Sequence, residues 1–283
     1  MKIIGGPASQ LLASRTARAL GIEPKLCEFN RFPDGELYLR IAEEIENEDV
    51  TIIQSTPTDS DLVALIQLID ACEGASRINV VIPYLGYARQ DKKFKPGEPI
   101  SSRAVARCIN ADRVFTVNVH EKSVLGYFPC PAKDLDASRL IGKYIASLNF
   151  ENSLIVSPDE GAKELVMDVA SEMDFAWDYL QKTRLNGDTV QIKTKTVDVT
   201  GRNIILLDDM IATGGTMAES IRMLREQGAI DVYLACVHPV LARNAVIRLF
   251  NAGVADIIAS DTLEKAESKV SVAPLIAYAL KNL

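Results

Sequence analysis

Asp208 and Asp209 close the apolar run Ile204–Leu207, and Met210-Ile211-Ala212 leads from them into Thr213-Gly214-Gly215-Thr216. A strand that ends in two carboxylates, followed by a threonine–glycine turn that opens a helix, offers two kinds of contact. Glycines let backbone N–H groups approach a phosphate, threonine hydroxyls add donors, and the helix N-terminus contributes partial positive charge. The two aspartates cannot bind that phosphate themselves, because like charges repel. They can accept paired hydrogen bonds from vicinal hydroxyls and hold Mg²⁺ through water. Vicinal hydroxyls beside a phosphate describe a ribose phosphate. Taken singly, Asp-Asp reads as a solvated strand end and Gly-Gly as a plain turn; their order along the chain carries the reading.

An anionic ligand needs positive charge, and the net charge of −7 requires it to be local. The same balance disfavours a general nucleic-acid binder, whose affinity comes from many Lys and Arg residues neutralising phosphates. Arg89, Lys92, Lys93 and Lys95 lie in one short stretch, and Lys182 and Arg184 form a second. By composition alone the first is a solvated loop and the second a polar hairpin with Lys and Thr alternating through Thr196. Pro33-Asp34-Gly35 is by itself a good surface turn. His120 ends the run Val114–Val119 and Asp159 follows Leu154-Ile155-Val156-Ser157-Pro158, so both fall at the carboxyl ends of predicted strands, where α/β folds place ligands. A single His at a strand end is also an ordinary polar residue. Two histidines and five cysteines, widely spaced and with no C-x-x-C pair, argue against a zinc cluster or a disulfide framework. The cysteines are expected to be buried small hydrophobes. Gly142-Lys143 precedes Tyr144 rather than Ser or Thr, so it is not a Walker A loop.

The elements that must position these residues are strands and helices in alternation. Short β-branched runs at Val50–Ile53, Asn79–Ile82, Val114–Val119, Leu154–Val156, Ile204–Leu207 and Val232–Val237 are separated mostly by helical patterns, which predicts an α/β fold with parallel sheets. Val50–Tyr84 and Asn203–Val240 share one order of strand, loop, helix, turn and strand, which reads as a duplication. Two domains, 1–145 and 146–283, follow, with the segment Val270–Leu283 expected to pack back on the first. The start MKIIGGPASQ lacks the longer apolar stretch of a secretory signal, and no window approaches a membrane span, so a cytoplasmic protein without a membrane partner is expected.

The segment Asp208–Thr216 closely resembles the loop that binds 5-phosphoribosyl 1-diphosphate (PRPP) in type I phosphoribosyltransferases and in ribose-phosphate diphosphokinases, the PRPP synthases. Position 212 departs from many members, which have Asp where this chain has Ala. Arg31-Phe32-Pro33-Asp34-Gly35-Glu36 resembles the synthase segment that contributes to adenine recognition, often from a neighbouring subunit. Pro83–Ser101 resembles the ATP-side loop, with Arg89 and Gln90 matching the pair that contacts ATP. The resemblance covers essentially the whole chain, with its motifs in family order. It implies two tandem phosphoribosyltransferase-like domains, each a mainly parallel sheet flanked by helices, in a homo-oligomer with the adenine site near a subunit interface. It implies ATP at Asp34, Gly35, Glu36, Arg89 and Gln90, and ribose 5-phosphate at Arg184, Asp208, Asp209, Ala212, Thr213, Gly214, Gly215 and Thr216. Mg²⁺ is implied at His120 and Asp159, and Lys182 and Arg184 match the family's catalytic loop. Two other readings share the 208–216 loop: a transferase that consumes PRPP with a nucleobase, and a non-catalytic homologue that binds ligand and tunes a partner.

Overall fold

In a computed structural model the protein is described over residues 1–186, 189–194 and 198–283, with only the backbone described between 181 and 194. The chain forms two units, one of residues 1–136, 262–264 and 271–283, the other of residues 137–261 and 265–270.

The first unit begins with β1 (Lys2–Gly5), α1 (Gln10–Leu20), β2 (Pro24–Lys25), β3 (Cys27–Arg31) and β4 (Leu37–Ile41). It continues with β5 (Asp49–Ile53), α2 (Asp59–Asp70), β6 (Arg77–Ile82), α3 (Ser101–Ala106), β7 (Arg113–Val117), a 3₁₀ turn at Lys122–Tyr127 and β8 (Ala132–Leu135). The second unit holds α4 (Ser138–Ser147), β9 (Ser153–Ser157), α5 (Lys163–Met173), β10 (Trp177–Asn186) and β11 (Thr189–Thr194). It goes on through β12 (Asn203–Met210), α6 (Gly215–Glu226), β13 (Asp231–His238), α7 (Ala245–Asn251), β14 (Ile257–Ser260) and β15 (Ser268–Val270). The chain then returns to the first unit in α8 (Ala273–Lys281).

Every strand run read from the sequence forms a strand, Val114–Val119 only as far as Val117, and each sheet is parallel at its core, as both-face burial of near-continuous Val, Ile and Leu requires. The first sheet runs β2-β1-β5-β6-β7-β8 and the second β11-β10-β9-β12-β13-β14-β15. The strands β1, β5, β6, β7 and β8 pair in parallel in that order, as do β9, β12, β13, β14 and β15. In each set an antiparallel hairpin lies in the chain between the first and second strands, β3–β4 in one unit and β10–β11 in the other. The duplication seen in Val50–Tyr84 and Asn203–Val240 therefore extends over both sheets.

One core packs Ile4, Val50, Ile52, Val80, Ile82 and Val114 against Leu65 and Leu68 of α2. Another packs Leu206, Leu234 and Ile257 against Ala218, Ile221 and Leu224, which share one face of α6 at the helical period. Each fully buried aliphatic side chain stabilises by roughly 1.5–3 kcal/mol, which is what fixes strand register. The amphipathic α8 buries Ala273, Ile276, Ala277 and Leu280 and packs against α1 within the first unit. The expectation for the cysteines fails in part. Cys72 and Cys236 are buried, Cys27 and Cys130 are half-buried, and Cys108 is exposed just past α3, its thiol 3.3 Å from the Ala104 carbonyl of the preceding turn. A residue beyond a short helix has no second layer to cover it.

Candidate active site

β12 carries Leu206 and Leu207 into the core and brings Asp208 and Asp209 to its carboxyl end, beside β13. The loop that follows turns because Gly214 adopts φ +69°, a left-handed conformation that suits glycine, and because a Cβ there would meet Leu249 Cγ at 3.1 Å. α6 starts at Gly215 with Gly214 as its cap.

The carbonyls of this loop are all spoken for. Leu241 N–H donates to Ile211 O at 2.9 Å, Ala242 N–H to Ala212 O at 2.9 Å, the Arg248 guanidinium to Thr213 O, and Ala218 N–H to Gly214 O at 2.9 Å. Its donors are not. The N–H groups of Ala212, Thr213, Gly214, Gly215 and Thr216 donate to no described residue. Five adjacent donors without a described partner, ending at a helix N-terminus, could form an anion cradle. Ala212 contributes backbone only, so the missing Asp side chain takes nothing from the cradle.

Beside it lies concentrated negative charge. Asp208 Oδ1 accepts from the N–H of Asp209 at 2.9 Å. Burial foremost, then the Asp209 carboxylate and, more weakly, Asp159, push the Asp208 carboxyl up to about 8. Asp159 is exposed beyond β9, and its Oδ1 accepts from Gly161 N–H at 2.8 Å and Ala162 N–H at 3.4 Å ahead of α5. Among the described residues no three His, Cys, Asp or Glu side chains form a ready metal cage. Mg²⁺ does not need one: it keeps several waters and takes one or two carboxylates together with substrate phosphates, which the hard oxygens of this acidic group fit.

In the first unit, Pro33, Asp34 and Gly35 form the tip of the β3–β4 hairpin. Phe32 N–H bonds Glu36 O at 2.9 Å, Gly35 N–H bonds Phe32 O at 2.8 Å, and Arg31 donates to Gly35 O at 2.6 Å and Ser60 Oγ at 2.7 Å. Asp34, Gly35 and Glu36 are exposed, and Phe32, half exposed, stands edge-on to Tyr38 at 5.9 Å. Arg89 is exposed, whereas Gln90 is anchored to the start of α3: its Oε1 accepts from the Ser101 hydroxyl and its carbonyl from Ser102 Oγ at 3.1 Å. His120 is exposed at the turn after β7. That turn is shaped by Asn118 in a left-handed conformation and by Asp134, whose Oδ1 accepts from Thr116 Oγ1 at 2.5 Å and Val119 N–H at 3.0 Å. Burial raises the Asp134 carboxyl, and these two bonds oppose the shift.

Lys182 and Arg184 fall on β10, opposite Ile192 and Val190 of β11, in the hairpin that the alternating Lys and Thr pattern predicts. Their side chains lie outside the described residues, as does Thr196. The sequence did not point to the segment 238–248, which holds three loop carbonyls. Those bonds join residues 30 and more apart in the chain, and no local spacing records them.

Known proteins match this chain along nearly its whole length. A model of the N-terminal domain of ribose phosphate pyrophosphokinase matches residues 1–112, and a phosphoribosyl transferase domain model matches residues 129–258. The chain is 77% identical over 283 residues, all of both chains, to a ribose-phosphate pyrophosphokinase of Methanosarcina acetivorans. It is 78% identical over 282 residues, covering 100% of this chain and 96% of the other, to that of Methanosarcina mazei. The phosphoribosylpyrophosphate synthetase of Mycobacterium smegmatis superposes with a TM-score of 0.86 at 31% identity, over 99% of this chain and 97% of that one. With both units matched in order and close relatives aligned from end to end, the chain belongs to the ribose-phosphate pyrophosphokinase family.

Proposed function

We propose that the enzyme forms PRPP and AMP from ATP and ribose 5-phosphate by a division of labour between its two units. The second unit holds the sugar phosphate. The five unpaired N–H groups from Ala212 to Thr216 carry this reading, because they offer a phosphate its donors at a helix N-terminus with Asp208 and Asp209 beside them for the ribose hydroxyls. The first unit supplies the nucleotide site. Asp34 and Glu36 accept from the adenine amine, Gly35 lets the hairpin tip turn close to the base, and Phe32 offers a face for stacking. Arg89 clamps phosphate oxygens, and the side-chain NH₂ of Gln90, held by Ser101 through its oxygen, reads a base or ribose edge.

In the reaction the anomeric hydroxyl oxygen forms a bond to the β-phosphorus of ATP. The bond from that phosphorus to the α,β-bridging oxygen breaks, AMP leaves with the bridging oxygen, and the hydroxyl proton passes to solvent. Lys182 and Arg184 neutralise charge on the transferred group and the bridging oxygen, Arg184 also reaching the sugar phosphate. Asp159 and His120 would hold Mg²⁺, which when bound screens the charge of the ATP phosphates. The raised carboxyl of Asp208 records a crowded acidic group, which would accept from the ribose hydroxyls as the anion once a divalent cation offset the neighbouring charge. We place the active enzyme in the cytoplasm as at least a dimer, with the hairpin tip close to a subunit interface; an active monomer in sedimentation would refute the dimer.

Incubation with ATP, Mg²⁺ and ribose 5-phosphate tests the assignment. PRPP and AMP in equal amounts are expected. Free nucleotide formed from PRPP and a nucleobase, with no PRPP synthesis, would make it a transferase. Silence in both assays with ligand binding intact would make it a regulatory homologue.

A further inference from the structure

We propose that Arg248 is a positioning residue for the sugar-phosphate loop, turning its N–H groups toward the ligand by holding the Thr213 carbonyl from behind. The inference rests on the reading of 208–216 as the ribose 5-phosphate site.

In a trans peptide unit the C=O and the following N–H point in opposite directions. Fixing the carbonyls of Ile211, Ala212 and Thr213 against one segment therefore aims the N–H groups of Ala212, Thr213 and Gly214 the other way. Two of the three carbonyls are held by backbone donors, Leu241 and Ala242, each at 2.9 Å. The third, nearest the glycines, is held by a side chain, the Arg248 guanidinium. Thr213 and Gly214 are where the chain reverses into α6, so the orientation of their shared peptide decides whether the donor series is continuous.

The bracing segment is itself under strain. Leu241, Arg243 and Asn244 have φ of +47°, +53° and +59°, and a leucine in the left-handed region is rare. Such conformations persist where the surroundings over-determine them, and they gather at sites whose geometry matters. α7 then touches the loop twice, through Arg248 and through Leu249, which fills the space beside Gly214. Leu249 belongs to the core, but Arg248 is only half-buried and contributes little to it. Its role is orientation, with a positive charge placed behind a phosphate site as a second effect. A lysine keeps the charge but not the planar fork that meets a carbonyl at a fixed angle.

Calorimetric titration with ribose 5-phosphate, without ATP, separates the possibilities for the wild type and for Arg248→Met, Arg248→Lys and Ile247→Ala. Arg248→Met is expected to raise Kd about tenfold, the size of one charge-assisted hydrogen bond, with KM for ATP and the thermal midpoint unchanged. Arg248→Lys should recover part of the loss, and Ile247→Ala, on the exposed side of the same helix, none should be lost. Unchanged Kd in Arg248→Met overturns the proposal and leaves the function standing. A midpoint lowered by several degrees without rescue by lysine also overturns it, assigning Arg248 to the folding of α7. A wild type that binds neither ribose 5-phosphate nor inorganic phosphate removes the reading of the loop, and the positioning role with it.

Discussion

The loop after β5 and the loop after β12 occupy the same place in two copies of one topology, and they differ in where their N–H groups go. In the first copy Gln54 N–H bonds Val81 O at 3.0 Å, Ser55 N–H bonds Ser9 Oγ at 2.9 Å, and Thr56 N–H bonds Tyr84 O at 2.9 Å. Ser55 Oγ donates to Thr262 O at 2.6 Å, and Thr58 caps α2 by accepting from Asp61 N–H at 3.2 Å. Gln54, Ser55 and Thr56 are buried. In the second copy the loop carbonyls accept hydrogen bonds, and the N–H groups of Ala212–Thr216 donate to no described residue. The two copies share their wiring and differ in which backbone donors directly after the strand are already bonded. Buried donors must be paired, so a loop that keeps them for a ligand has to stay open to it.

The two hairpins make a second contrast. β3–β4 ends in acids and an aromatic ring, suited to a base, whereas β10–β11 carries Lys182 and Arg184, suited to phosphates in transition. The sharpest break of this comparison is expected from Lys182→Ala, which should lower kcat about a hundredfold or more with little change in ATP affinity. Steady-state kinetics with unchanged kcat would remove Lys182 from the catalytic group. Glycines separate the copies next. A Cβ on Gly86 would lie 2.1 Å from Thr56 O, so Gly86→Ala should cost about 2 kcal/mol by overpacking, read as a lowered unfolding midpoint. Gly214→Ala meets Leu249 in a left-handed conformation and disturbs the open loop. It should raise KM for ribose 5-phosphate about tenfold, the scale of one charge-assisted contact, with less change in stability than Gly86→Ala.

A further effect concerns pH. With Asp208 at about 8 in the folded chain against an ordinary 3.8, the folded state holds this proton more tightly than the unfolded one. Stability of the ligand-free, metal-free protein should thus decline as pH rises from about 4 through about 8, because there the unfolded chain has released a proton the folded chain retains. Asp208→Asn should flatten that decline in pH-dependent thermal melts while weakening ribose 5-phosphate binding. An equal slope in the variant would place the proton elsewhere.

Much of this was legible in the sequence because it is local. The β-branched runs, the Asp-Asp pair and the Thr-Gly-Gly-Thr turn are short patterns whose meaning is set by neighbours, and the face of α6 follows from a period of 3.6. The strands β1, β8, β14 and β15 were not singled out. They span four residues or fewer, too short for alternation to stand out, and they are defined by their partners in the sheet. The braces of the loop escaped for a related reason. Leu241, Ala242 and Arg248 act through hydrogen bonds across the fold, and neither their types nor their spacing marks them. The bonding of Gln54, Ser55 and Thr56 likewise depends on Ser9, Val81, Tyr84 and Thr262, from four separate places in the chain.

Amide hydrogen exchange followed by mass spectrometry, with and without saturating ribose 5-phosphate, tests the contrast between the copies most directly. New protection is expected in peptides covering Asp209–Met217, where the unpaired N–H groups gain a phosphate, and none at Gln54, Ser55 and Thr56, whose amides are already bonded. Protection appearing in the loop after β5 with 209–217 unchanged would contradict this and move the sugar phosphate to the first copy.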